Sequence, residues 1–185
     1  MMRALVIADR QPDDPVEQLL DRERPDLVLT LGDLQDWYLA PLAGWPGPKM
    51  GVYGNHCWSY MEQLGIINLH MSAYRWAGLT FAGFEGCNRY KATGRHQYHQ
   101  DEASAMIRTL PAADVMICHS PPYGVNDHDD PAHQGLHALN WYVEHRRPRL
   151  LLHGHTYPTA DTLVDRMGGT QIAYINGAGM VQLPA

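Results

Sequence analysis

The chain has 185 residues, 45% of them hydrophobic, which is enough to bury a sizeable core and suggests a single domain over 1–185. No stretch approaches the roughly 18 apolar residues of a membrane span. The formal net charge of −6 argues against a protein that grips long nucleic acid by charge, though not against one that takes a small phosphorylated substrate.

The segment 3-RALVIAD-9 predicts a first strand ending on Asp9. An acidic, proline-rich stretch follows it and no small-residue cleavage site does, so it reads as a strand and not a signal peptide. Residues 15–25 predict a helix, with Pro15 suited to the first turn and Pro25 past the end. Then 26-DLVLTLGD-33 is a strand ending on Asp33, and 49-KMGVYGNH-56 a strand ending in Asn55-His56. Residues 66–70 and 73–86 form a hairpin-like β region, and 99–111 a helix. The run 114-DVMICHSPP-122 is a strand that reaches His119 and stops at two prolines. Residues 133–148 predict a helix, 149-RLLLHGH-155 a strand ending in two histidines, and 160–179 a β-rich stretch with a Gly-Gly turn. Alternating strands and helices followed by further strands give an α/β layered fold. The three cysteines, Cys57, Cys87 and Cys118, are odd in number and lack metal-finger spacing, which suits a reducing, cytoplasmic setting.

Five apolar strands thus end in metal-capable side chains. One such residue has a bland reading: a strand-end Asp is usually a turn former or a helix cap, and a lone buried His is usually satisfied in the core. Five in one chain are hard to explain as independent accidents. In open α/β sheets, ligands gather beyond the carboxyl ends of the strands. Carboxylate, amide and imidazole donors together suit Mn, Fe, Zn or Ni.

The order Asp9, 32-GDLQD-36, 54-GNH-56, His119 in 118-CHSPP-122, and 153-HGH-155 resembles the calcineurin-like metallophosphoesterases, most of all their small bacterial members. The resemblance implies two packed mixed β-sheets flanked by helices, a four-layer α-β-β-α sandwich. It implies two divalent ions, manganese first among the candidates. Asp33 would bridge them, with Asp9 and His155 completing the first site and Asn55, His119 and His153 the second. Ions about 3.5–4 Å apart hold a bridging hydroxide and clamp a phosphoryl group for in-line attack. His56 would be the general acid for the leaving group, and Asp36 would orient it. A small phosphodiester is the expected substrate. The alternatives are a phosphomonoester, or a non-catalytic scaffold of the same fold that binds protein.

Two departures from the family pattern stand out. Gln11 occupies the position of a usual His, and offers the first ion a weaker neutral oxygen. Cys57 replaces the usual acidic residue after GNH and reads as an inert, buried thiol. Arg89, in a segment rich in Arg, Lys and Tyr, is a candidate phosphate contact. Asp127 and His133, in the loop after the His119 strand, are candidates for touching substrate or a ligand histidine.

Overall fold

The computed structural model describes residues 2–185. Two large mixed sheets, one two-stranded parallel sheet and four α-helices make up the described residues. In chain order the elements are β1 (Arg3–Ala8), α1 (Val16–Glu23), β2 (Leu27–Thr30), α2 (Asp36–Leu39), a 3-10 turn at Ala40–Gly44, β3 (Lys49–Gly51) and β4 (Ile67–Asn68). There follow β5 (Ala73–Trp76), β6 (Leu79–Phe84), β7 (Cys87–Asn88), β8 (Gln97–Tyr98), α3 (Gln100–Ile107) and β9 (Val115–Cys118). The chain ends with α4 (His137–Arg146), β10 (Leu150–His153), β11 (Arg166–Met167), β12 (Thr170–Tyr174) and β13 (Gly177–Gln182).

The first sheet runs β13-β1-β2-β3-β4, parallel except where β13 pairs antiparallel with β1. The second runs β11-β12-β10-β9-β6-β5, with a parallel centre and antiparallel edges. The central strands are apolar without alternation because both of their faces are covered. Within each, successive residues still point opposite ways. Ala4, Val6 and Ala8 of β1, Leu27 and Leu29 of β2, Val115 and Ile117 of β9, and Leu150 and Leu152 of β10 share one core between the sheets. Leu5, Ile7 and Val28 face outward onto Val16, Leu19 and Leu20 of α1. Met116, Cys118 and Leu151 face outward onto α3 and α4 through Ala103, Ile107, Leu139 and Tyr142.

Several boundaries differ from the sequence reading. β3 stops at Gly51, so Val52 to His56 form a loop rather than strand. β4 joins the first sheet, and the hairpin lies wholly within β5 and β6, turning at Ala77-Gly78 with both residues at positive φ. Helix α4 begins at His137, because residues 130–136 are held in a loop by Asp130 and by the Pro122–Leu136 bridge. All three cysteines are buried free thiols. No helix among the described residues is long and apolar enough to cross a membrane.

This topology aims the carboxyl ends of β1, β2 and β3 in one sheet, and of β9 and β10 in the other, at a common region. Asp9, Asp33, Asn55, His119 and His155 all follow those ends.

Candidate metal centre

Asp9, Asp33, His119 and His155 each bring one ligand atom to within 4.8 Å of the others. Three of these four hold left-handed backbone: Asp9 at φ 55, Asp33 at φ 55 and His155 at φ 68. Such conformations are costly for residues with a side chain and cluster at functional sites. They turn each side chain sharply inward off the end of its strand.

Two glycines make the convergence possible. A Cβ on Gly54 would lie 2.1 Å from the Asp33 carboxylate, and one on Gly154 would lie 2.1 Å from Asp9 Oδ2. The glycine between His153 and His155 therefore makes room for the approach of Asp9. The carboxylates are further fixed by backbone: His155 N–H donates to Asp9 Oδ2 at 2.6 Å and His56 N–H donates to Asp33 Oδ1 at 2.8 Å. Cys57 is no spectator. Its sulfur accepts the N–H groups of Asp33 (3.1 Å) and Gly54 (3.2 Å), pinning the two ligand loops together.

The histidine tautomers follow from their partners, because a carbonyl can only accept. His119 Nδ1 lies 2.8 Å from the Leu31 carbonyl, so Nδ1 carries a proton and Nε2 faces Asn55 Oδ1 (3.0 Å) and Asp33 Oδ2 (3.4 Å). His155 Nε2 lies 2.7 Å from the Ala132 carbonyl, which leaves Nδ1 free as a donor atom. Outer carbonyls of this kind fix ring orientation in metal sites. Asn55 Nδ2 donates to the Tyr90 hydroxyl at 3.2 Å, which turns its Oδ1 toward the cluster.

The electrostatics favour a cation. Burial, with the Asp33 charge adding, outweighs the pull of His119 and pushes Asp9 up to about 6. Burial also opposes the charge on Asp33, but His119 and the His56 N–H outweigh it and hold that carboxyl well below its usual range. Burial disfavours a charged His119, yet Asp33 and Asp9 overcome it and raise the ring to about 9. Burial and the neighbouring His119 lower His155 to about 3. Two half-buried carboxylates, a neutral imidazole and an imidazole that charges only against those carboxylates form a set that a divalent ion would complete. Oxygen and nitrogen donors in this mixture fit a borderline ion.

The other residues singled out in the sequence lie in varied places. His153 is fully buried but stands outside the four-residue group. The Asn126 amide, oriented by Val164 N–H on its Oδ1 (2.6 Å), donates to His153 Nε2 at 3.0 Å. His153 Nδ1 lies 3.0 Å from the Gly154 carbonyl, so both ring nitrogens are occupied. Gln11 is exposed and is not among the residues lining the pocket over the centre. His56 is exposed and lines the pocket over the centre with Asp9, Asp33, Asn55, Tyr90, Lys91, His133, His155 and Tyr157. It also borders an adjoining cleft with Asp36, but the Asp36 carboxylate accepts Trp37 N–H (2.7 Å) and is not paired with the imidazole. Arg89 donates to the Gln97 carbonyl at 2.6 Å and is absent from the pocket wall. Asp127 clips its own loop through the N–H groups of Gly124 (3.0 Å) and Gly135 (2.9 Å). His133 does line the pocket, with Nδ1 at 3.0 Å from Asp130. Tyr157, two residues past His155, carried no signal as a site residue, yet its phenol stands in the pocket and feels both carboxylates.

No protein-family model matches the chain, and no curated protein does. Solved structures match it in fold. One aligns over 98% of this chain and 99% of its own, with a TM-score of 0.68 at 14% identity. The structure of TT1561 from Thermus thermophilus aligns over 92% of this chain and 87% of its own (TM-score 0.63, 17% identity). A hypothetical protein from the same organism aligns over 95% and 76% (TM-score 0.55, 18% identity). At these identities the likeness is one of mixed α/β fold.

Proposed function

We propose that the chain is a metal-dependent phosphoesterase acting on a small phosphodiester, with the layered packing of a calcineurin-like metallophosphoesterase. The observation that carries this reading is the group of Asp9, Asp33, His119 and His155 at the strand ends, with both imidazoles held in ligand tautomers by backbone carbonyls. A bound divalent ion would polarise the phosphoryl oxygens and lower the pKa of attacking water. Asp33, Asn55, His119 and His155 would hold it, with Asp9 beside them.

The resemblance implied two ions. The placement of the residues supports one, because Gln11 is exposed and His153 is tied to Asn126, leaving Asp9 and a shared Asp33 for any second ion. Manganese remains the first ion to try. His56, at the junction of pocket and cleft, is the proposed proton donor to the leaving-group oxygen as its bond to phosphorus breaks. A phosphomonoester is the alternative substrate. A metal-binding scaffold without turnover is the alternative role.

The deciding experiment is elemental analysis after manganese loading, paired with a panel of diesters and monoesters. One ion per chain and chelator-sensitive turnover, with diesters preferred, is the expected result. Two ions would restore the dinuclear arrangement. No stoichiometric metal would end the phosphoesterase reading, and metal without turnover on any ester would leave the scaffold.

A further inference from the structure

The loop between β7 and β8 is elaborately held, and the metal ligands alone do not explain why. At its base, Glu85 is only 6% exposed, and its Oε1 accepts the Tyr98 hydroxyl (2.7 Å) and lies 2.8 Å from His96 Nδ1. Glu85 N–H donates to His70 Nδ1 at 3.2 Å. Inside the loop, the carboxamide oxygen of buried Gln97 accepts the N–H groups of Tyr90 (3.3 Å) and Lys91 (3.2 Å). Gly94 leaves room for that amide, since a Cβ there would lie 2.1 Å from Gln97 Oε1. The effect of this bracing is to set Tyr90 and Lys91 against the pocket.

Tyr90 has a use already, as the acceptor that turns Asn55. Lys91 has none. It is exposed, with its ammonium 4.9 Å from the Tyr90 ring centroid, an arrangement a solvated surface lysine can adopt. Two things argue for more. Its backbone is fixed by a buried side chain, which a solvated lysine does not need. Its charge is also wanted: the pocket holds two carboxylates, which one divalent ion only neutralises, and Lys91 is the one Lys or Arg among the lining residues. An anionic phosphate needs further positive charge, and a flexible ammonium reaches a non-bridging oxygen as a point charge.

We propose that Lys91 binds a non-bridging oxygen of the substrate phosphate, and that Gln97 is the positioning residue that presents it. This rests on the phosphoesterase reading. The test uses the full chain loaded with manganese and measures inorganic phosphate binding by calorimetry, alongside manganese affinity. Lys91→Met is expected to weaken phosphate on the order of tenfold at low salt, the scale of one charge-assisted contact. Manganese affinity is expected to hold. Lys91→Arg is expected to retain most of the phosphate affinity, and the Lys91→Met deficit to shrink at about 0.5 M salt, where an exposed charge is screened. Gln97→Ala is expected to weaken phosphate similarly. Because it acts through Lys91, the double variant is expected to be no worse than Lys91→Met alone. Unchanged phosphate affinity in Lys91→Met, with manganese bound normally, overturns the inference and leaves the phosphoesterase reading standing. Additive losses in the double variant overturn the role of Gln97. A wild type that binds no manganese removes both readings together.

Discussion

At the scale of single residues, Cys57 shows how a side chain can matter to a metal centre without touching the metal. Its sulfur satisfies the N–H groups of Asp33 and Gly54, and burial with the nearby Asp33 charge pushes its own ionisation up, so it stays a neutral thiol. Cys57→Ala leaves two donors unmet, the Gly54 N–H buried and the Asp33 N–H partly so. Each costs about 1–3 kcal/mol, and the Asp33 loop loses its brace. The expected outcome is a lowered unfolding midpoint and weaker manganese binding. Cys57→Ser, whose hydroxyl can accept the same donors, is expected to recover much of both. Equal metal affinity in wild type and Cys57→Ala would mean that the sulfur only fills space. Gln11 is the opposite case. It is exposed, so Gln11→Ala is expected to leave the manganese titration of activity unmoved. Asp9→Asn, inside the cluster, is expected to shift it to higher concentration. A shift in Gln11→Ala comparable to that of Asp9→Asn would place position 11 in the metal shell after all.

At the scale of elements, the strand runs were legible because parallel strands covered on both faces must be largely apolar, and β1, β2, β9 and β10 are apolar along their centres. Their polar ends were legible for the same reason: the first polar residue after such a run lies at the sheet's carboxyl edge. What stayed illegible was orientation. His153 and His155 are alike in sequence, and only tertiary partners, Asn126 for one and Ala132 for the other, decide which faces the cluster. Lys91 rather than Arg89 reaches the pocket because Gln97 fixes the loop, a contact no spacing announces. The base of that loop gives a pH-dependent prediction. Burial opposes the charge on Glu85, but the hydrogen bonds from His96 and Tyr98, with His70 nearby, outweigh it and lower its pKa below the ordinary 4.5. A carboxyl lowered on folding contributes stability above its unfolded value and loses it as pH falls through that value and below. Glu85→Gln is therefore expected to lower stability at pH 7 by about 1–3 kcal/mol, the scale of a charged hydrogen bond. The deficit should narrow as pH drops below about 4.5. Urea unfolding of both proteins across that range checks it, and a deficit independent of pH would show that packing, not charge, is lost.

At the scale of the whole molecule, the centre lies where two sheets meet. Asp9, Asp33 and Asn55 come from the first, and His119 and His155 from the second. An ion held there would tie the two sheets across their shared core, and the unfolded chain has no such site to offer. Binding should therefore stabilise by mass action, by about 2.7 kcal/mol at a hundred times the dissociation constant. For a chain of this length each kcal/mol moves the midpoint by about 2–4 °C, so manganese at that excess is expected to raise it by about 5–11 °C over chelator-treated protein. The increment should also depend on pH with a definite sign. The ion must displace the proton that Asp33 and Asp9 hold on His119 up to about 9, so binding tightens as pH rises, and the increment should be larger at pH 8 than at pH 6. Asp33→Asn removes both the ligand and the charge that holds that proton, and is expected to abolish the increment without preventing folding. Thermal unfolding of the two proteins, with manganese and with chelator at both pH values, is the measurement. A midpoint indifferent to manganese in the wild type, or an increment that survives Asp33→Asn, would show that the ion does not bind where the two sheets converge.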